Sequence, residues 1–181
     1  MIDLNQERPH SEIPQGHLES LAGLAENSPR GNFLELGVYK GGSAWVFGKI
    51  ALEQNRKVFL FDTFEGLPEN GMIPKGRFND TTVDEVQAAI PNAQIFKGLF
   101  PLTLTREVKD LSFVHIDCDL LAGCKTAIEL LWPRMVEGGI MAFDDWTFPD
   151  IQGPVISKFG LENIKFTEKT NIAFLIKTGE T

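Results

Sequence analysis

Among its 181 residues the chain has only two cysteines, three histidines and one tyrosine. Cys118 and Cys124 are too few for a disulfide framework and lack the CxxC spacing of a redox pair, so plain packing is expected of both. His10 and His17 lie in the N-terminal segment with no assignable role. His115 falls inside an apolar run, where a packed core histidine is expected. Cations are also scarce. Lys and Arg number 17 against 25 Asp and Glu, which gives a net charge of −8 and an isoelectric point near 4.9. That balance speaks against nucleic-acid and anionic-membrane partners, whose recognition rests on clustered Lys and Arg. Long apolar runs are missing too. Stretches such as Ile172–Ile176 fall far short of the roughly 20 residues that a membrane helix needs. The start, Met1 to Pro14, is polar and has no apolar h-region, so no signal peptide and a cytoplasmic location are expected. Repeats, charge blocks and linker-like tracts do not occur. What remains, 43 % hydrophobic and 23 % charged residues, is the composition of one globular domain over 1–181. A short helical segment (1–30) precedes its core (31–181).

Within that core the pattern alternates. Strands are predicted at Asn32–Val38, Lys57–Asp62, Ala93–Phe96, Ser112–Asp117 and Gly139–Phe143, and a closing hairpin pairs Asn163–Glu168 with Ile172–Lys177 about a tight turn at Thr170-Asn171. Helices are predicted at His17–Glu26, at Ser43–Glu53 with Ser43 as its cap, and at Thr82–Ile90. Further helices are expected near Thr103–Lys109, over roughly Leu121–Glu137, and at Pro149–Phe159. Strands that alternate with helices imply an α/β fold. The expected form is a Rossmann-like, doubly wound, mostly parallel seven-stranded sheet ending in an antiparallel hairpin. Such sheets bind ligands beyond the carboxyl ends of their strands, near the switch in strand order. The residues that follow each strand are therefore the ones to read.

After strand one comes Glu35-Leu-Gly37-Val-Tyr39-Lys-Gly41-Gly42-Ser43 and a helix. Gly37 permits a tight turn, and Gly41 and Gly42 let a ligand approach the electropositive helix N-terminus. Tyr39 stands where a dinucleotide-binding GxGxxG would need its middle glycine, and a GxxxxGK[ST] phosphate loop is absent. Asp62 ends strand two, 25 residues after Gly37, where a carboxylate can accept ribose hydroxyls.

Taken with that loop and acid, the words FLELGVYKGGSA, FDTFEGLP, KGLFPLTL, FVHIDCDL and GGIMAFDDW follow one another in an order that resembles class I S-adenosylmethionine (SAM) methyltransferases. Within these they resemble the macrocin O-methyltransferase family, which methylates sugar hydroxyls on antibiotics and related small molecules. The resemblance covers about residues 29–148. It implies SAM as cofactor, with Gly37, Tyr39, Gly41 and Ser43 around the methionine end and Glu35 supporting that loop. Asp62 would take the ribose, Gly98 would lie near the adenine, and Asp117 would be a further SAM-binding residue.

Four further acids share the rim: Asp117 and Asp119 after strand four, Asp144 and Asp145 after strand five. Carboxylates that converge this way repel one another unless a cation intervenes, and oxygen-only ligands suit Mg²⁺ first, then Mn²⁺ or Ca²⁺. The resemblance implies that Asp117, Asp144 and Asp145 bind one divalent ion and that Asp119 is the general base. The partner is then a small-molecule hydroxyl acceptor, a sugar, polyol or natural product. A catechol-like or amine acceptor, or a SAM-binding module without turnover, are the alternatives.

Phe64, Trp146 and Phe148 adjoin the rim and could equally line an acceptor pocket or belong to the core. The long segment Thr63–Thr81, with Gly66, Gly71 and Gly76, is expected to act as a lid. Three departures from the family stand out: Leu121 where it has Tyr, Leu102 where it has Asp, and a short segment before strand one. In relatives that segment helps cover the acceptor and build a homo-oligomer, so the departures bear on acceptor and assembly.

Overall fold

The computed structural model describes residues 2–67, 75–118 and 121–179. In chain order its elements are α1 (Gln15–Glu26), β1 (Asn32–Leu36), α2 (Gly42–Glu53), β2 (Val58–Asp62), α3 (Val83–Ala89), β3 (Ala93–Lys97), β4 (Leu111–Ile116), α4 (Leu121–Leu131), β5 (Met135–Phe143), α5 (Pro149–Phe159), β6 (Lys165–Phe166) and β7 (Ala173–Ile176). The seven strands form one sheet in the order β3-β2-β1-β4-β5-β7-β6. The first five run parallel, and β7 returns antiparallel to β5 and β6. This is the α/β, Rossmann-like architecture expected from the alternation. No helix among the described residues is long and apolar enough to cross a membrane.

Alternation along the strands divides the core in two. Phe33, Phe113, Ile140 and Ala142 face α1, α2 and α3. Their neighbours Leu34, Val114, Met141 and Phe143 face α4 and α5. Because helices cover both faces, β4 is buried at every position and reads as a nearly continuous apolar run. Strand order reverses between β1 and β4, so the crevice of a doubly wound sheet opens above that pair.

Several boundaries differ from the sequence expectation. Ser43 does not cap α2: the cap position is Gly41, left-handed at φ 85°, and Ser43 lies buried in the first turn. Helix α3 starts where expected, with Thr82 as its cap, and the structure adds a capping box in which Thr82 and Glu85 bond reciprocally. Thr103–Lys109 forms turns instead of a helix. The side chain of Arg134 takes the carbonyls of Thr105 and Val108 at 2.7 and 2.8 Å, the first of which a helix would have used itself. Helix α4 stops at Leu131, six residues early. Pro133 lacks an N–H and disfavours helical backbone before it, so Trp132–Arg134 tightens to a 3-10 turn and β5 starts at Met135. The hairpin is shorter than expected. Its turn places Asn171 at φ 60°, and Thr167 N–H reaches the Ile172 carbonyl.

Candidate active site

The rim is built by carrying each ladder one step past its strand. Gly37 N–H donates to Phe61 O, Asp117 N–H to Leu36 O, and Asp144 N–H to Ile116 O, at 2.9, 2.9 and 3.0 Å. Residues two apart share a face, so Gly37, Asp117 and Asp144 continue the face that carries Glu35, His115 and Ala142. At Gly37, φ is +89° and a Cβ would overlap the carbonyl oxygen of Asp117. Glycine is required there because the two strand ends touch.

On the β4/β5 side, Asp117, Asp144 and Asp145 are half-buried and each offers an oxygen within 4.8 Å of the others. Burial raises the pKa of Asp144 above the ordinary carboxylate range, and the neighbouring Asp145 adds to the rise. His115 and His17 act in the opposite direction. Asp145 is left-handed at φ 52°, a conformation that costs about 1 kcal/mol or more. Three hard oxygen donors, with no sulfur or nitrogen ligand in the cluster among the described residues, fit a divalent cation of the Mg²⁺ type. Asp119, the expected base, lies outside the described residues, as does the side chain of Leu121.

On the β1/β2 side, the carboxylate of Asp62 accepts backbone N–H bonds from Val38 (2.7 Å), Tyr39 (2.9 Å) and Phe64 (2.8 Å). Gly98 N–H donates to the Asp62 carbonyl at 2.9 Å, which holds the turn after β3 against the same residue. No side chain caps α2, so the N–H groups of its first turn face the rim with the positive end of the helix dipole. The segment before α1 crosses here, with Ser11 and the His10 carbonyl packed where a Cβ at Gly42 would stand. Tyr39 completes the corner: its ring lies 4.9 Å from Phe78 and 6.4 Å from His10, and Lys40 Nζ is 2.7 Å from Asp80 Oδ2. That hydrogen bond raises the Lys40 pKa and lowers that of Asp80.

Glu35 is the cofactor candidate that the fold does not bring to the rim. It is fully buried one residue inside β1, and its Oε1 lies 2.8 Å from Nδ1 of the equally buried His115. The second atoms of the pair, Glu35 Oε2 and His115 Nε2, have no protein partner among the described residues. Sequence reading treated the two separately. The signal was available: each is the single titratable residue inside an apolar strand, and each precedes its rim residue by two. His17, on α1, has no role that the sequence assigns, yet it lowers the pKa of Asp144.

Of the aromatic candidates, Phe64 belongs to the core, Trp146 packs half-buried against Phe143, and Phe148 is exposed beside Asp145. Burial pushes the Cys124 thiol up to about 11, consistent with the packing role expected of it. In the segment Thr63–Thr81, residues 68–74, Gly71 among them, lie outside the described residues. Its two described ends are tied together by Leu67 N–H to Arg77 O and Gly76 N–H to Leu67 O, both 2.9 Å.

A doubly wound sheet with glycines after β1, an acid ending β2 and acids after β4 and β5 defines a class I SAM-dependent methyltransferase fold. Comparison with known proteins agrees: residues 34–146 match the family model described as a methyltransferase domain, and the chain belongs to that family. A curated relative, the 8-demethyl-8-(2,3-dimethoxy-alpha-L-rhamnosyl)-tetracenomycin-C 4'-O-methyltransferase of Streptomyces olivaceus, is 28 % identical over 149 residues. That alignment takes in 68 % of this chain and 55 % of the relative, so the chain spans about half the length of the curated protein it matches. The solved O-methyltransferase NovP superposes with a TM-score of 0.80 at 22 % identity, covering 94 % of this chain and 83 % of its own. The calicheamicin methyltransferase CalS11 gives 0.72 at 19 %, covering 88 % and 77 %.

Proposed function

We propose that this chain transfers the methyl group of SAM to a hydroxyl of a sugar-bearing small molecule, and that it does so with a divalent cation. The observation that carries the reading is the half-buried triad Asp117, Asp144 and Asp145 at the sheet's switch point, beside the glycine loop. Sugar chemistry is supported by the relatives: the curated one is a 4'-O-methyltransferase of a rhamnosyl tetracenomycin, and CalS11 is described as a TDP-rhamnose 3'-O-methyltransferase.

SAM already carries an activated methyl, so the difficulty lies with the acceptor, because an alcohol near neutral pH is a poor nucleophile. When bound by the triad, a divalent cation supplies Lewis-acid stabilisation to the oxygen that loses its proton. Asp119 is the residue proposed to take that proton, following its match to the family's base. The loop Gly37–Ser43 and the uncapped N-terminus of α2 are proposed to hold the methionine carboxylate, and Phe148 the acceptor's apolar face.

The test is methyl transfer from isotope-labelled SAM to rhamnose-bearing acceptors, run with Mg²⁺ and with EDTA. Transfer that requires the cation is expected, and transfer undiminished in EDTA would remove the metal from the reading. In the same assay Asp119→Asn is expected to lower turnover by roughly 10²–10⁴-fold, the usual worth of a general base, with no rescue by added Mg²⁺.

A further inference from the structure

An acid that ends β2 suggests a ribose ligand, but in this chain the Asp62 carboxylate is already heavily engaged. Its Oδ2 accepts two backbone N–H bonds, from Val38 at 2.7 Å and Tyr39 at 2.9 Å, and its Oδ1 accepts one from Phe64 at 2.8 Å. An ionised carboxylate offers about four lone-pair positions, so one, on Oδ1, is left. Two of the three donors belong to aromatic residues in left-handed backbone, Tyr39 at φ 51° and Phe64 at φ 54°. Bulky side chains avoid that region, and such residues persist only where their surroundings over-determine them. A charge-assisted bond to each N–H is that constraint, and both bonds end on one side chain.

We infer that Asp62 is a positioning residue: its carboxylate clamps the loop after β1 to the turn after β2, fixes Tyr39 and Phe64 in left-handed backbone, and accepts at most one ribose hydroxyl of SAM. The inference rests on the SAM reading only for its last part, since the clamp belongs to the ligand-free chain. Asp62→Asn separates the two roles. An asparagine that turns its Nδ2 toward N–H donors loses those bonds, so the strained turns relax before any ligand arrives.

The probes are S-adenosylhomocysteine and its 2',3'-dideoxy analogue, titrated calorimetrically into the wild type and Asp62→Asn. For a clamp, the substitution weakens both compounds by about tenfold or more, and it lowers the ligand-free melting temperature by about 5 °C. For a simple ribose acceptor, the dideoxy analogue binds both proteins equally and the ligand-free melting temperature is unchanged; that result overturns the inference. Amide exchange in the wild type needs no variant to fold. Slow exchange at Val38, Tyr39 and Phe64 without ligand is expected, and free exchange at Tyr39 and Phe64 refutes the clamp. A wild type that binds neither compound would instead refute the SAM reading, leaving amide exchange to decide the clamp.

Discussion

The two halves of the rim solve the burial of carboxylates in opposite ways. Beside β1 and β2, Asp62 is surrounded by donors of the chain itself, and the loops around it are tied down by its three backbone bonds and by the Lys40–Asp80 pair. Beside β4 and β5, Asp117, Asp144 and Asp145 face one another, and burial, with Asp145 adding to it, raises the pKa of Asp144 against the opposing effect of His115 and His17. One half spends most of its carboxylate's acceptor capacity on the chain itself, whereas the other gathers three carboxylates within 4.8 Å of one another. Fold formation shapes the first half, and the second is where we propose that a cation binds. Gly37, whose backbone touches that of Asp117, is where they meet.

The largest effect is therefore expected from Gly37→Ala. The new Cβ would enter the Asp117 carbonyl in left-handed backbone, and neither side of the clash is a flexible side chain. Overpacking and left-handed strain together should cost about 3–5 kcal/mol in urea unfolding. Since the strand ends must separate, S-adenosylhomocysteine and Mn²⁺ should both bind more weakly. Loss of only one of the two would show that the halves are independent.

Glu35→Ala strikes beneath both halves. It leaves Nδ1 of the fully buried His115 without its partner and opens a cavity, which together should cost about 3–5 kcal/mol. Glu35→Gln keeps an acceptor for His115 Nδ1 and should lose less, about 1–3 kcal/mol. Urea denaturation orders the three proteins, and an alanine variant as stable as the wild type would show the pair to be dispensable.

How far this organisation was legible in the sequence depends on range. The alternation of strands and helices, the glycine loop, and acids after three strands follow from local composition, and Gly37, Asp62, Asp117, Asp144 and Asp145 lie where a doubly wound sheet puts them. Helix Pro149–Phe159 is legible to the residue because Pro149 starts it and Gly160 ends it. Long-range bonds were not legible. Nothing local in Thr103–Lys109 announces that Arg134 takes its carbonyls, and nothing near Asp62 announces that its carboxylate turns back onto the preceding loop. Glu35 was read as a loop support because its pairing with His115 joins residues 80 apart in the chain. The same-face rule contains that pairing only once β1 and β4 are known to be neighbours.

The smallest effect, and the one that separates the halves most cleanly, concerns Asp144. An acid whose pKa is raised by folding keeps a proton in the folded chain that the unfolded chain, with a pKa of about 3.9, has released. Its stabilising share is full below that value and is lost as pH rises through the raised folded value. At pH 7 without metal Asp144 therefore opposes folding, and Asp144→Asn should melt above the wild type, on the order of 2–4 °C. Near pH 4 the difference should vanish. Mg²⁺ at millimolar concentration should reverse the order, because an ion that binds only the folded state stabilises the protein that holds it more tightly. Melting curves from pH 4 to 8, in EDTA and in Mg²⁺, test both signs. A variant less stable than the wild type in EDTA at pH 7 would mean that Asp144, like Asp62, finds its compensation within the chain, and the contrast between the two halves would disappear.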